Sequence, residues 1–229
     1  MTSNDGLIPF EILQSELSFE ARFGAPAFEV FRDPEGLHRA LHEKLSPYGL
    51  RLADMKYERG TTLADVRLVC FLHNFSWTAN VRAEQVDLQC FDLRDVQRQE
   101  VKDVAVSLVE AVTSQIRSTS VRTYTLALAF HVSLTGIDTR SFLLRFVQNA
   151  PDLGPLAGSG VAFYFGPLPE AGLVASTVTM DRSAVIADGL FLRLHSVWDA
   201  AAVPTHGLPD AAEKHLARAL TSLGLLPPE

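Results

Sequence analysis

Basic charge is in short supply. The chain has 20 lysines and arginines against 27 aspartates and glutamates, a formal net charge of −7. A field of that sign repels phosphate backbones, so nucleic acid is not an expected partner. No local basic face offsets it, since Arg51 and Arg59 sit near Asp54 and Glu58. Cysteine is scarcer still: only Cys70 and Cys90 occur, which excludes a disulfide-dense scaffold. Each lies in an apolar, strand-like segment, so two buried reduced thiols are expected, with a single disulfide as the alternative. Long apolar runs are missing as well. None approaches the ~18–20 residues that span a bilayer, so no membrane association is expected. The first residues, Met1-Thr2-Ser3-Asn4-Asp5-Gly6, lack the basic and then apolar pattern of a signal peptide, and a cytoplasmic location is the expectation.

Motifs of chemistry are also missing. Gly158-Ser159-Gly160 lacks the Gly-Lys-Ser/Thr ending of a phosphate loop and the Gly-x-Ser-x-Gly of a nucleophile elbow, and it reads as a connector. His38 and His42 stand four apart and share a helix face, a pair that zinc would accept. The order His38-Arg39-Ala40-Leu41-His42 is not His-Glu-x-x-His, however, and two solvated histidines are the simpler account. His131 and His195 lie in strands. Together with Arg193 they form a candidate ligand-binding group for an anion, with hydrogen-bonded strand histidines as the plainer reading. Asp181, Asp188 and Asp199 fit turn capping better than acid–base chemistry. No cofactor and no catalytic residue is assigned.

What is present is a globular balance, 47% apolar and 21% charged, patterned as an α+β protein with antiparallel sheet and helices on one face. Residues 10–23 alternate, with Leu17, Phe19, Ala21 and Phe23 on one side and Glu16, Ser18, Glu20 and Arg22 on the other. Asp33 and Pro34 then open a helix carrying Leu37, Ala40, Leu41 and Leu45, which Pro47 and Gly49 stop. Strand signals follow from 50 to 93, with turns at Arg59-Gly60 and His73-Asn74. A break near Glu84-Gln85 is either a new strand or a bulge. A long amphipathic helix is expected from about Asp95 to Ile116, through Val101, Val104, Ala105, Leu108 and Val112.

The order then begins again. Residues 124–134 alternate as a strand, and Gly136-Ile137-Asp138 leads into a short helix with Phe142, Leu143, Phe146 and Val147. After a loop at 151–160, strands are expected at 161–165, 173–180 and 185–197, with Asp188-Gly189 as a bulge or hairpin turn inside the last. Pro209 and Asp210 open a final helix through Ala212, Leu216, Ala219, Leu220 and Leu223. Both halves, 1–118 and 119–229, thus read strand, helix, three or four strands, helix. This predicts an internal pseudo-duplication, either as two halves or as one continuous domain. Phe71, Phe91 and Tyr164 fall opposite their strands' core faces, which predicts cover on both sides of the sheet.

A duplicated saddle of this kind resembles the TATA-binding-protein-like fold in topology. The strand Val121-Arg122-Thr123-Tyr124-Thr125-Leu126-Ala127-Leu128, the helix at Phe142-Leu143-Leu144 and the last strand Leu190-Phe191-Leu192-Arg193-Leu194 together resemble a sporadically distributed family of uncharacterised bacterial proteins of about this size. That resemblance implies architecture and no activity. A shorter stretch, Phe10-Glu11-Ile12-Leu13 with Leu17-Ser18-Phe19-Glu20, is similar to the start of a SecB-type export chaperone, where the helix at Asp33 has no place. The function these readings favour is a non-catalytic protein-binding or adaptor module, with a protein partner or a second copy of the chain as its target. The alternative is a small-molecule sensor or enzyme with a pocket between the halves, near His131, Arg193 and His195.

Overall fold

The computed structural model describes residues 6–62, 65–93, 97–147 and 160–227. The expected helix start at Asp95 and the Gly158-Ser159 connector lie outside them. β1 (Phe10–Phe23) takes its expected span. Its pairing shifts register between Ile12 and Gln14, and the shift turns Leu13 out to solvent. From there Ser15, Phe19, Ala21 and Phe23 are buried on one face.

α1 (Pro34–Leu45) starts where the Asp33 carboxylate accepts the Gly36 amide at 3.0 Å, and it buries Leu37, Leu41 and Leu45. Gly49, in the left-handed region at φ +85°, turns the chain after it. A meander follows: β2 (Met55–Glu58), β3 (Arg67–Leu72), β4 (Trp77–Val81) and β5 (Gln85–Cys90). Val81 faces Val86 across the β4–β5 hairpin, so the break at Glu84-Gln85 begins a separate strand. α2 (Arg98–Thr113) closes the first half.

The second half repeats the sequence of elements with β6 (Val121–Leu134), α3 (Thr139–Leu144), β7 (Val161–Phe165), β8 (Leu173–Arg182), β9 (Leu190–Asp199) and α4 (Leu208–Ser222). β9 begins later than the alternation suggests. Val185 to Gly189 instead form the β8–β9 connection, where the Ser183 hydroxyl accepts the Val185 and Ile186 amides and Asp188 sits at φ +53°. Asp188 is therefore a hairpin residue, and its carbonyl and carboxylate also receive the hydroxyl and amide of Thr139 at the start of α3. Asp181 proves to lie within β8, opposite Phe191, whereas Asp199 accepts the Ala201 amide in a turn.

The nine strands of the described residues join one antiparallel sheet in the order β2-β3-β4-β5-β1-β6-β9-β8-β7. β1 and β6 pair along their whole length, from Phe10 with Leu134 to Phe23 with Val121, and Leu17 opposite Leu128 marks the middle. The expected boundary at 118/119 is thus crossed by a continuous ladder. Outward from the central pair the order is β5, β4, β3 on one side and β9, β8, β7 on the other, with β2 added at the first edge. The halves are related by strand order, and internal duplication is not established by it.

The helices pack on one face of the sheet over two apolar clusters. One gathers Phe19, Leu68, Leu72, Trp77, Leu88 and Trp198 under α1, α2 and the start of α4. The other gathers Val132, Met180, Leu192 and Leu194 under α3 and the end of α4. Phe71, Phe91 and Tyr164 predict cover on the second face as well, and among the described elements neither a helix nor a second sheet supplies it. Tyr164 is 81% exposed, Phe91 lies just past β5, and Phe71 is sheltered by the Phe75 ring and the Lys56 ammonium. The physical reason is that the part of this face over β4, β5 and β1 is mostly polar, while Val69, Ala127 and Phe191 share the face elsewhere. Its densest part is a linked set in which Asn80 donates to Asp87 at 2.7 Å, and Gln85 to Glu20 at 2.9 Å. Such satisfied groups need no apolar cover. No helix among the described residues is long and apolar enough to cross a membrane.

Candidate functional site

The alternation of β1 and β6 sends Leu17, Phe19, Leu126, Leu128 and Phe130 to the helix side at the centre of the sheet. Central positions under helices are normally sealed. Here Leu17, Leu126, Leu128 and Phe130 remain only half-buried, because α2 and α4 flank the central strands without closing over them. The space between is a groove of about 410 Å³. Val101, Ala105 and Val106 wall it from α2, and Ala212, Leu216 and Ala217 from α4. It runs along the seam where the two apolar clusters meet.

Polar groups inside the groove are already engaged. The Ser15 hydroxyl donates to the Leu93 carbonyl at 2.8 Å, and Tyr124 and Thr205 share a hydrogen bond of 2.6 Å. Glu16 borders the groove, but its register opposite Ala129 turns its side chain to the other face of the sheet. At the rim, Lys102 of α2 forms an ion pair with Glu213 of α4 and spans the two walls. Beyond this bridge lies a second, polar hollow of about 320 Å³, bordered by Tyr48, Gln99, Asp103, Ser107, His206 and Asp210. The two hollows share Lys102, Val106 and Pro209. An apolar body fits the first, within the 300–1,000 Å³ range of ligand pockets.

The residues singled out by sequence lie elsewhere. His131, Arg193 and His195 share the helix-free face, with Arg193 between the two histidines along the β6–β9 ladder. His131 is opposite Phe191, Arg193 opposite Ala129, and His195 opposite Ala127. The two histidines are four strand positions apart, roughly 13 Å along the ladder. His131 instead shares a hydrogen bond with the Ser183 hydroxyl at 2.9 Å, and its ring lies 5.0 Å from that of Phe191. His38 is held by the Pro34 carbonyl at 2.9 Å and meets the Tyr57 ring edge-on. No group of three His, Cys, Asp or Glu among the described residues is placed to hold a metal, so His38 and His42 gain no third ligand. Cys70 and Cys90 are free thiols on β3 and β5, separated by β4. Burial pushes Cys70 up to about 12 and Cys90 further, which keeps both protonated at neutral pH.

No known family matches. Neither a family description nor a curated protein corresponds to the chain. Among solved structures it is similar to an aspartate kinase from Synechocystis, at 10% identity and a TM-score of 0.17. The alignment covers 99% of this chain and 28% of that one, so the chain spans little more than a quarter of the kinase's length. A likeness so slight carries no argument about activity.

Sequence reasoning did not locate the groove: it set a pocket between the halves near His131, Arg193 and His195, and read the groove's floor as core and its walls as two separate amphipathic helices. A polar contact was missed too: the half-buried His215 of α4 reaches the Ser176 hydroxyl of β8 at 2.8 Å, and Ser176 in turn meets Ser196 of β9. Its only signal was a histidine on the inward side of the final helix.

Proposed function

We propose that the protein is a non-catalytic binding module whose working site is the groove between α2 and α4, and that it holds the apolar body of a small ligand there. The observation that supports this is the half-buried state of Leu17, Leu126, Leu128 and Phe130 at the centre of the sheet. Covering them removes apolar surface from water at roughly 25 cal/mol per Å². The site stands between the two halves, as the sensor alternative anticipates, but on the opposite face from His131, Arg193 and His195.

Titration with a neutral apolar dye such as Nile red tests the reading. The folded protein is expected to give a saturable, single-site rise in fluorescence, and Ala105→Trp, which fills the groove from its α2 wall, is expected to abolish it. Equal binding by the Trp variant, or no saturable binding by the native protein, would sink the proposal.

A protein partner is favoured by a separate observation. Phe75 and Phe91 are each about half exposed beside three successive residues in the left-handed region, His73, Asn74 and Phe75. Non-glycine residues hold that conformation only where surrounding structure enforces it. Native mass spectrometry distinguishes the cases. A defined complex lost in Phe75→Ser/Phe91→Ser supports the aromatic patch, and a monomer unaffected by the change removes it.

A further inference from the structure

We infer that the ligand of the groove is an amphiphile with a cationic end, seated so that its apolar chain lies over β1 and β6 and its head enters the adjoining polar hollow. The inference rests on the groove reading and adds the chemistry of the head.

Three observations carry it. First, the apolar groove and the polar hollow are continuous, sharing Lys102, Val106 and Pro209, which is the shape an amphiphile needs. Second, the charges around the junction are unbalanced. Asp103, Asp210 and Glu213 border the junction together with one lysine, Lys102, which is paired with Glu213, and one histidine, His206. Among the described residues, neither Asp103 nor Asp210 forms an ion pair; Asp103 receives only the Gln99 amide at 2.8 Å. Third, Lys102 is largely covered, with a side-chain exposure of 20%, while its partner Glu213 is nearly half exposed. The Lys102 ammonium is therefore engaged in bridging the helices, and the carboxylates bordering the rim outnumber it. The net charge of −7 strengthens attraction of a cation and opposes a carboxylate or phosphate head. An anionic amphiphile would have to enter beside two carboxylates without an ion pair among the described residues, Asp103 and, in the first turn of α4, Asp210. A neutral one would leave them unused.

The test compares three probes that share a twelve-carbon chain, each below its micelle concentration: dodecyltrimethylammonium, dodecyl maltoside and laurate. Isothermal titration is run on the native protein and on Asp103→Asn/Asp210→Asn, with Ala105→Trp as the groove-blocked control. The expected result is that the cationic probe binds about tenfold or more tighter than the neutral one, that laurate is weakest, and that the double Asn variant loses the cationic preference while still binding dodecyl maltoside. Circular dichroism on the Asn variant confirms that its fold is kept. Equal binding of all three probes, a preference for laurate, or an unchanged preference in the Asn variant would overturn the inference while leaving the groove as a site. Failure of every probe, or binding undiminished in Ala105→Trp, would overturn the groove reading itself and the inference with it.

Discussion

His215 shows what one side chain does in this fold. It sits on α4 against β8 and β9, bonded to Ser176 and edge-on to Trp198. Burial first, and Arg218 second, hold its pKa below the ordinary 6.5. The folded protein therefore keeps the ring neutral at pH values where the unfolded chain has taken up a proton. The stability this contributes is complete above about pH 6.5 and is lost as the pH falls from there toward the lowered folded value. Urea unfolding of the native protein and His215→Gln, at about pH 7.5 and about pH 5.5, isolates the effect. Acidification is expected to destabilise the native protein more than the variant, which can still hydrogen-bond Ser176. Equal losses would show that His215 is not the group responsible. Ser176 and Ser196 are paired across β8 and β9, and no rule of spacing ties them to a histidine on a helix further along the chain.

At the scale of elements, local chemistry was legible wherever a signal and its consequence lie within a few residues. Asp33 was readable as a cap, and it caps. Gly36 belongs to the same device, because a Cβ there would collide with the Asp33 carboxylate. Asp33→Ala is expected to cost about 1 kcal/mol, within the usual 0.5–2 kcal/mol for a lost cap, and Asp33→Asn much less. Chemical denaturation checks the pair, and indistinguishable Ala and Asn variants would remove the capping role. The limits of β1 were also readable, since period-two alternation needs no knowledge of the neighbour. The start of β9 was not. Val185 and Ile186 look like strand residues, yet the Ser183 hydroxyl binds their amides and diverts them into a hairpin loop. A side chain competing for backbone donors overrode propensity there.

For the whole molecule, the continuous ladder through β1 and β6 makes the two apolar clusters share one sheet. Cys70 and Cys90 report on it, since both are completely buried in the cluster under α1 and α2. Neither thiol is expected to react with Ellman's reagent in the folded protein, and both are expected to appear together with the loss of the circular-dichroism signal across a urea titration. Thiol reactivity that precedes unfolding would mean that the first cluster opens on its own.

The sequence by itself determined the class of fold, the faces of the long strands, the cap of α1, and the net acidic charge, because each depends on residue type and on spacing within one element. Tertiary structure decided the rest. Strand alternation says that Leu17 and Leu128 point the same way, but only the pairing of β1 with β6 sets them side by side. Helix periodicity says that Ala105 and Leu216 face inward, but only the separation of α2 from α4 leaves a groove between them. Likewise, Asp103 and Asp210 are ordinary surface carboxylates on two helices far apart in the chain until packing brings them to the same rim. Distances between elements are set by how two cores fit around a shared pair of strands, and no period within a single segment encodes them.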